Sequence, residues 1–187
     1  MNKNVKWVIS LVVFALLLTG AVLGYNYLKT LYSSDQLAET QNEDTSEENP
    51  APEFSVIDID GNIVKLSNFS GKPVIINFWA SWCPPCKNEM PDFNEKYLEY
   101  KDEIHFVMVN LTDGRQETKE SAEKFLATTD YTFPVYFDSD LSGAYTYGIY
   151  SVPQTFFIDA EGVLVTGAQG AISGYILQKG IDFIYEK

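Results

Sequence analysis

The only cysteines of this 187-residue chain, Cys83 and Cys86, enclose Pro84-Pro85 and so present two sulfurs about one helical turn apart. A structural disulfide framework spreads its cysteines to close larger loops, and a loop this short contributes only about 2 kcal/mol. The spacing suits exchange chemistry instead: one thiolate attacks a disulfide and the second resolves the mixed species. The pair follows a nearly continuous apolar run, Pro73 to Ala80, and precedes a helical pattern. Cys83 then falls at a helix N-terminus, where free backbone N–H groups and the helix dipole favour a negative sulfur. Its thiol is expected to titrate below the free-cysteine value of about 8.5. Pro84 and Pro85 suit the first helical positions, which have no intrahelical N–H partner to lose.

Other chemistries fit less well. Two cysteines and a single histidine, His105, fall short of a four-ligand zinc shell unless carboxylates contribute, so no metal is expected. A net charge of −13 argues against nucleic acid as a partner, because phosphate binding needs clustered Lys and Arg. The acidity serves solubility. Aromatic residues make up 14% of the chain and are read as core plus a substrate rim, with no cofactor beyond the cysteine pair.

The elements that must position the pair follow from apolar spacing. Residues 56–59 and 63–66 flank Asp60-Gly61 and predict a β-hairpin. Residues 73–80 predict a strand buried on both faces. A helix is expected from Cys83 to about Tyr100, kinked at Pro91. A strand at 104–111, a helix at 117–128, a strand at 133–137 and a short helix at 141–147 follow. Residues 154–158 and 162–166 predict a hairpin around Asp159-Ala160-Glu161, and 172–185 has helical spacing weakened by Gly174 and Gly180. Strands alternating with helices define an α/β class.

Ahead of this domain, expected to span 53–187, stand two further segments. Residues 1–29 contain an uncharged, mostly apolar run, Trp7 to Leu28, long enough to cross a hydrocarbon core of roughly 30 Å as a helix. Lys3 and Lys6 precede it, and Lys29 and then an acidic stretch follow, a modest basic bias that favours a single-pass anchor with the domain outside. A cleaved signal peptide ending near Thr19-Gly20-Ala21 is the competing reading, and it too exports the domain. Residues 30–52 carry Asp35, Glu39, Glu43, Asp44, Glu47 and Glu48 and no base, the composition of a flexible acidic linker.

The segment from Phe78 to Cys86, Phe-Trp-Ala-Ser-Trp-Cys-Pro-Pro-Cys, resembles the active site of thioredoxin-like proteins. Pro91 matches the proline of their active-site helix, and Val152-Pro153-Gln154-Thr155 resembles the segment that carries their cis-proline. The run from Leu66 to Pro73 and an extra helix and strand at about 112–140 are similar to the TlpA/ResA-like branch of extracytoplasmic thiol–disulfide oxidoreductases. The resemblance implies a thioredoxin-like fold: a central mixed sheet flanked by helices, with an N-terminal hairpin and a mid-domain helix–strand insertion.

By position, the resemblance makes Cys83 the nucleophile, Cys86 the resolving thiol, and Cys83–Cys86 a redox-active disulfide. It makes Glu89 a proton acceptor or modulator of the pair, against the alternative of an exposed helix carboxylate. Trp82, Pro84, Pro85, Val152 and a cis Pro153 would meet the substrate. Asn77 replaces the buried aspartate that thioredoxins carry six residues before the first cysteine. A peroxidase on this fold places a threonine where Ala80 stands. The partners implied are thiols and disulfides of exported proteins, such as an apocytochrome c or an exported methionine sulfoxide reductase, and a CcdA- or DsbD-like membrane electron carrier. A disulfide-forming oxidase and a redox-inactive binding module remain the alternatives.

Overall fold

The structure is a computed structural model that describes residues 16–24, 38–39 and 49–185. Residues 16–24 are helical, with Leu16, Leu17, Leu18, Val22 and Leu23 exposed. Among the described residues no helix is long and apolar enough to cross a membrane. The remainder of the expected span at 7–28 and most of the linker at 30–52 lie outside the described residues.

The elements run β1 (Ala38–Glu39), β2 (Ser55–Ile57), β3 (Ile63–Lys65), a 3-10 turn (Leu66–Phe69), β4 (Val74–Trp79), α1 (Pro84–Tyr100), β5 (His105–Asn110), α2 (Lys119–Leu126), β6 (Val135–Phe137), α3 (Ser142–Thr146), β7 (Gln154–Ile158), β8 (Leu164–Gln169) and α4 (Gly174–Ile184). One sheet has the order β1-β8-β7-β4-β5-β6-β2-β3. It is mixed: β4 pairs parallel with β5 and antiparallel with β7, and β5 pairs parallel with β6. Parallel neighbours require crossovers, which α1 and α2 supply.

β4 is buried at every residue, as its apolar run requires. Its period of two sorts the side chains. Val74, Ile76 and Phe78 join Phe54, Val107, Val109 and Ile158 on one face. Ile75 and Trp79 join Met90 and Phe93 of α1, Ala122 of α2, and Leu177 and Ile181 of α4 on the other. Asn77 shares the parity of Ile75 and Trp79, so its amide enters the core beneath α1. α1 turns Cys86, Glu89, Met90 and Phe93 inward, one face at helical spacing, and continues through Pro91.

Several boundaries differ from the sequence reading, each for a local reason. α2 begins after Glu117, because the Thr118 hydroxyl accepts from Ser121 N at 3.2 Å and caps the helix there. That leaves Glu117 outside the helix. β8 extends to Gln169, held by the antiparallel ladder to β7. Parts of the expected linker join the sheet: β1 pairs with β8, Leu164 N donates to Asn49 O at 2.9 Å, and Ala51 N donates to Gly162 O at 2.9 Å. These are main-chain bonds, which composition does not encode.

Gly180 weakened the expectation of α4, yet the helix needs it. A Cβ there would collide with the ring of Phe157, which is fully buried. Overpacking against this buried ring is expected to outweigh the roughly 1 kcal/mol that alanine gains in helix propensity. Gly180→Ala is expected to cost about 2 kcal/mol net, read as a lower urea midpoint at unchanged slope. An unchanged midpoint would show that α4 shifts without cost.

Candidate active site

β4 ends at Trp79, and the chain turns through Ala80, Ser81 and Trp82 before α1. Cys83 N donates to Ala80 O at 3.1 Å, closing that turn. Cys83 is the N-cap of α1, with extended backbone (φ −88°, ψ 107°). Pro84 and Pro85 occupy the first two helical positions and have no N–H. The first free N–H of the helix is therefore that of Cys86, and it donates to Cys83 Sγ at 3.2 Å. This bond and the helix dipole both favour negative charge on Cys83 once the pair is reduced.

Cys83 and Cys86 form a disulfide with Cα atoms 5.4 Å apart. The Val152–Pro153 peptide bond is cis. Val152 O lies 3.6 Å from Cys83 Sγ, a contact that becomes an S–H donor bond only in the thiol form, since the disulfide sulfur has no proton. Gly170 N donates to Pro153 O at 2.9 Å, and Gln154 Nε2 to Ser151 O at 3.0 Å, anchoring this loop beside the sulfurs.

Trp82 is 45% exposed, and Pro84 and Pro85 are exposed, whereas Cys83 is only 2% exposed and Cys86 is fully buried. The disulfide thus lies in a recess rimmed by Trp82, the two prolines and Val152. The sequence places Cys83 at a helix N-terminus; the tertiary fold sets how deep it lies.

Glu89 is 2% exposed, which excludes the exposed-carboxylate alternative. It sits one turn after Cys86 on the inward face of α1. Asn77 Nδ2 donates to its Oε1 at 2.8 Å and Ile172 N to its Oε2 at 2.9 Å. The same Asn77 amide donates to Thr155 Oγ1 at 3.1 Å, and its Oδ1 has no partner among the described residues. Burial pushes the Glu89 carboxyl up to about 7; the two donors oppose this without cancelling it, and Asp92 adds to the rise. Asn77, at the position where thioredoxins carry an aspartate, therefore holds the buried acid Glu89 in place.

A second buried carboxylate escaped the sequence reading. Glu117, 1% exposed, accepts from Ser81 N at 3.0 Å, from Ser81 Oγ at 2.8 Å and from Asn110 Nδ2 at 2.9 Å. Its one sequence signal is its place directly before the Thr118 cap, where a side chain turns away from the helix. His105 begins β5 with its ring centroid 5.2 Å from that of Phe69, and it pairs with Val74 at the start of β4, whereas the cysteines follow the far end of that strand. Among the described residues, no three or more His, Cys, Asp and Glu side chains gather to hold a metal.

Comparison with known proteins agrees with this geometry. The AhpC/TSA family matches residues 48–166. Thiol-disulfide oxidoreductase ResA of Bacillus cereus is 34% identical over 159 residues, covering 85% of this chain and 86% of the relative. Thioredoxin-like protein YneN of Bacillus subtilis is 30% identical over 177 residues, covering 95% and 97%. The crystal structure of StoA from Bacillus subtilis superposes with a TM-score of 0.60 at 30% identity, covering 71% of this chain and 98% of that one. With the Cys83–Cys86 disulfide at its strand-to-helix junction, and with these family and sequence matches over most of its length, the chain belongs to the AhpC/TSA family, as a ResA-like thiol–disulfide oxidoreductase.

Proposed function

We propose that this oxidoreductase works outside the cytoplasm, tethered by its N-terminal segment, and reduces disulfides of exported proteins. The observation that carries the reading is the Cys83–Cys86 pair at a helix N-terminus with the buried carboxyl of Glu89 one turn further on. The Cys83 thiolate attacks a substrate disulfide; a Cys83–substrate disulfide forms and the first substrate thiolate leaves. Cys86 then gives its proton to the Glu89 carboxylate, and its thiolate attacks Cys83 Sγ. The Cys83–Cys86 disulfide reforms and the second substrate thiolate departs. Two electrons have passed to the substrate.

A reduced dithiol on a CcdA- or DsbD-like membrane carrier returns the electrons. The substrates are polypeptides whose cysteines fit the recess beneath Trp82 and Val152, apocytochrome c and an exported methionine sulfoxide reductase among them. The backbone of Val152 pairs with the incoming chain in extended form. The apolar run at 7–28 and the acidic linker support the tether and the outward orientation.

The test has two arms. With a chemical dithiol as reductant, the protein is expected to reduce insulin, and equilibration with redox buffers should give a potential below that of a disulfide-forming oxidase, about −120 mV. No turnover would favour a binding scaffold, and a potential near that oxidase value would reverse the direction. Labelling by a membrane-impermeant thiol reagent on intact cells checks the location.

A further inference from the structure

The Glu117 carboxylate takes no part in the exchange steps, yet its hydrogen bonds converge on the turn that carries the nucleophile. We infer that Glu117 is a positioning residue for thiol–disulfide exchange, clamping the turn between Ala80 and Cys83 and so fixing where Cys83 Sγ stands at the start of α1. This rests on the exchange function proposed above.

β4 ends at Trp79, so Ser81 N has no strand partner; it donates to Glu117 Oε1, and the Ser81 hydroxyl donates to Oε2. Asn110, the last residue of β5, donates its side-chain amide to the same Oε1. One carboxylate therefore ties the ends of two neighbouring strands. Glu117 is itself fixed at its base: Asp113 Oδ1 accepts from the amides of Arg115, Gln116 and Glu117 at 2.8–2.9 Å, and Gly114 N donates to Glu117 O at 2.9 Å. Ser81 precedes Cys83 by only two residues. The 3.2 Å bond from Cys86 N to Cys83 Sγ, and the approach to Val152 O, both depend on the turn that Ser81 belongs to. With Glu117 removed, Ser81 N and Asn110 Nδ2 lose their acceptor, and the turn is free to reorganise toward other partners.

Glutamine at this position keeps the geometry. Its Oε1 can accept from Ser81 N and Asn110 Nδ2, and its Nε2 can donate to Ser81 Oγ. Alanine keeps none of these bonds.

The test uses the reduced full-length protein, with the iodoacetamide alkylation rate of Cys83 followed against pH and the reduction potential set by glutathione equilibration. Glu117→Ala is expected to slow alkylation at neutral pH about tenfold, with a displaced pH midpoint and potential, whereas Glu117→Gln stays within about twofold of wild type. Asp113→Ala, exposed and distant in sequence from the cysteines, loosens the loop that carries Glu117 and should slow alkylation about threefold. That variant keeps the inference testable if Glu117→Ala does not fold. A folded Glu117→Ala with wild-type rate and potential would overturn the inference, as would a glutamine variant as impaired as alanine, or, should Glu117→Ala not fold, a wild-type rate in Asp113→Ala. A wild-type protein inert toward disulfides would instead sink the exchange reading itself.

Discussion

Cys83→Ser is expected to abolish disulfide reduction, by at least about 10³-fold, while Cys86→Ser is expected to stop turnover at a covalent adduct. The asymmetry follows from the junction of β4 and α1. Cys83 is the N-cap; it receives the only N–H available in the proline-led first turn and stands nearest the rim formed by Trp82 and Val152. Cys86 is fully buried behind it and meets no incoming chain. Without Cys86 the first attack still forms a Cys83–substrate disulfide, but no thiolate within the protein can displace the substrate. Intact-mass spectrometry of Cys86→Ser isolated from cells should show protein-linked adducts that a chemical dithiol removes. Cys83→Ser should show none. Adducts on Cys86 in the Cys83→Ser protein would reverse the assigned roles.

The second large effect concerns Glu89. Its carboxyl is raised from an ordinary 4.5 to about 7, chiefly by burial. A group bound more tightly to its proton in the folded state stabilises the fold fully below the unfolded value and loses that stabilisation as pH rises through the folded one. The oxidised protein should therefore become less stable between pH 4.5 and about 7. The interval, at 1.36 kcal/mol per pH unit, amounts to a loss on the order of 3 kcal/mol.

Glu89→Gln should erase this part of the pH dependence. It should still fold: the glutamine oxygen can accept from Ile172 N, and a flipped Asn77 can present its Oδ1, unpartnered in the present arrangement, to the glutamine amide. Urea unfolding of both proteins from pH 4.5 to 8, with the disulfide intact, measures the difference. Parallel pH curves would mean that the carboxyl titrates normally in the fold. The variant should also resolve mixed disulfides more slowly, because Cys86 has lost its proton acceptor, while the first attack by Cys83 is spared.

Not every part of this site was equally open to sequence reasoning. The cysteine pair, its place at a strand-to-helix junction and the two prolines were legible because they are local: apolar runs and helix-start chemistry act within a few residues. The same periodicities define an α/β class, while the mixed sheet and the helix–strand insertion are what the family resemblance, carried by the cysteine and proline motifs, implies. Glu89 is singled out by the resemblance, from its place three residues after Cys86, but its burial is not legible in the sequence. That state depends on Asn77 in β4 and on the amide of Ile172, 83 positions away in the chain.

Glu117 was assigned to a helix and to no task, since its partners, Ser81 and Asn110, are adjacent only because β4 and β5 pair in register. The resemblance sets Pro153 against the sulfurs, but the depth of Cys83 is not legible in its neighbours: Val152, just before β7, brings its carbonyl to 3.6 Å from Cys83 Sγ, and the residue is 2% exposed. Sequence alone determined which atoms can exchange electrons, because sulfur chemistry and helix-end electrostatics are written in neighbouring residues. Only the tertiary structure decided how deep those sulfurs lie and which carboxyls are buried beside them, because desolvation and hydrogen-bond partnership depend on what distant strands bring alongside.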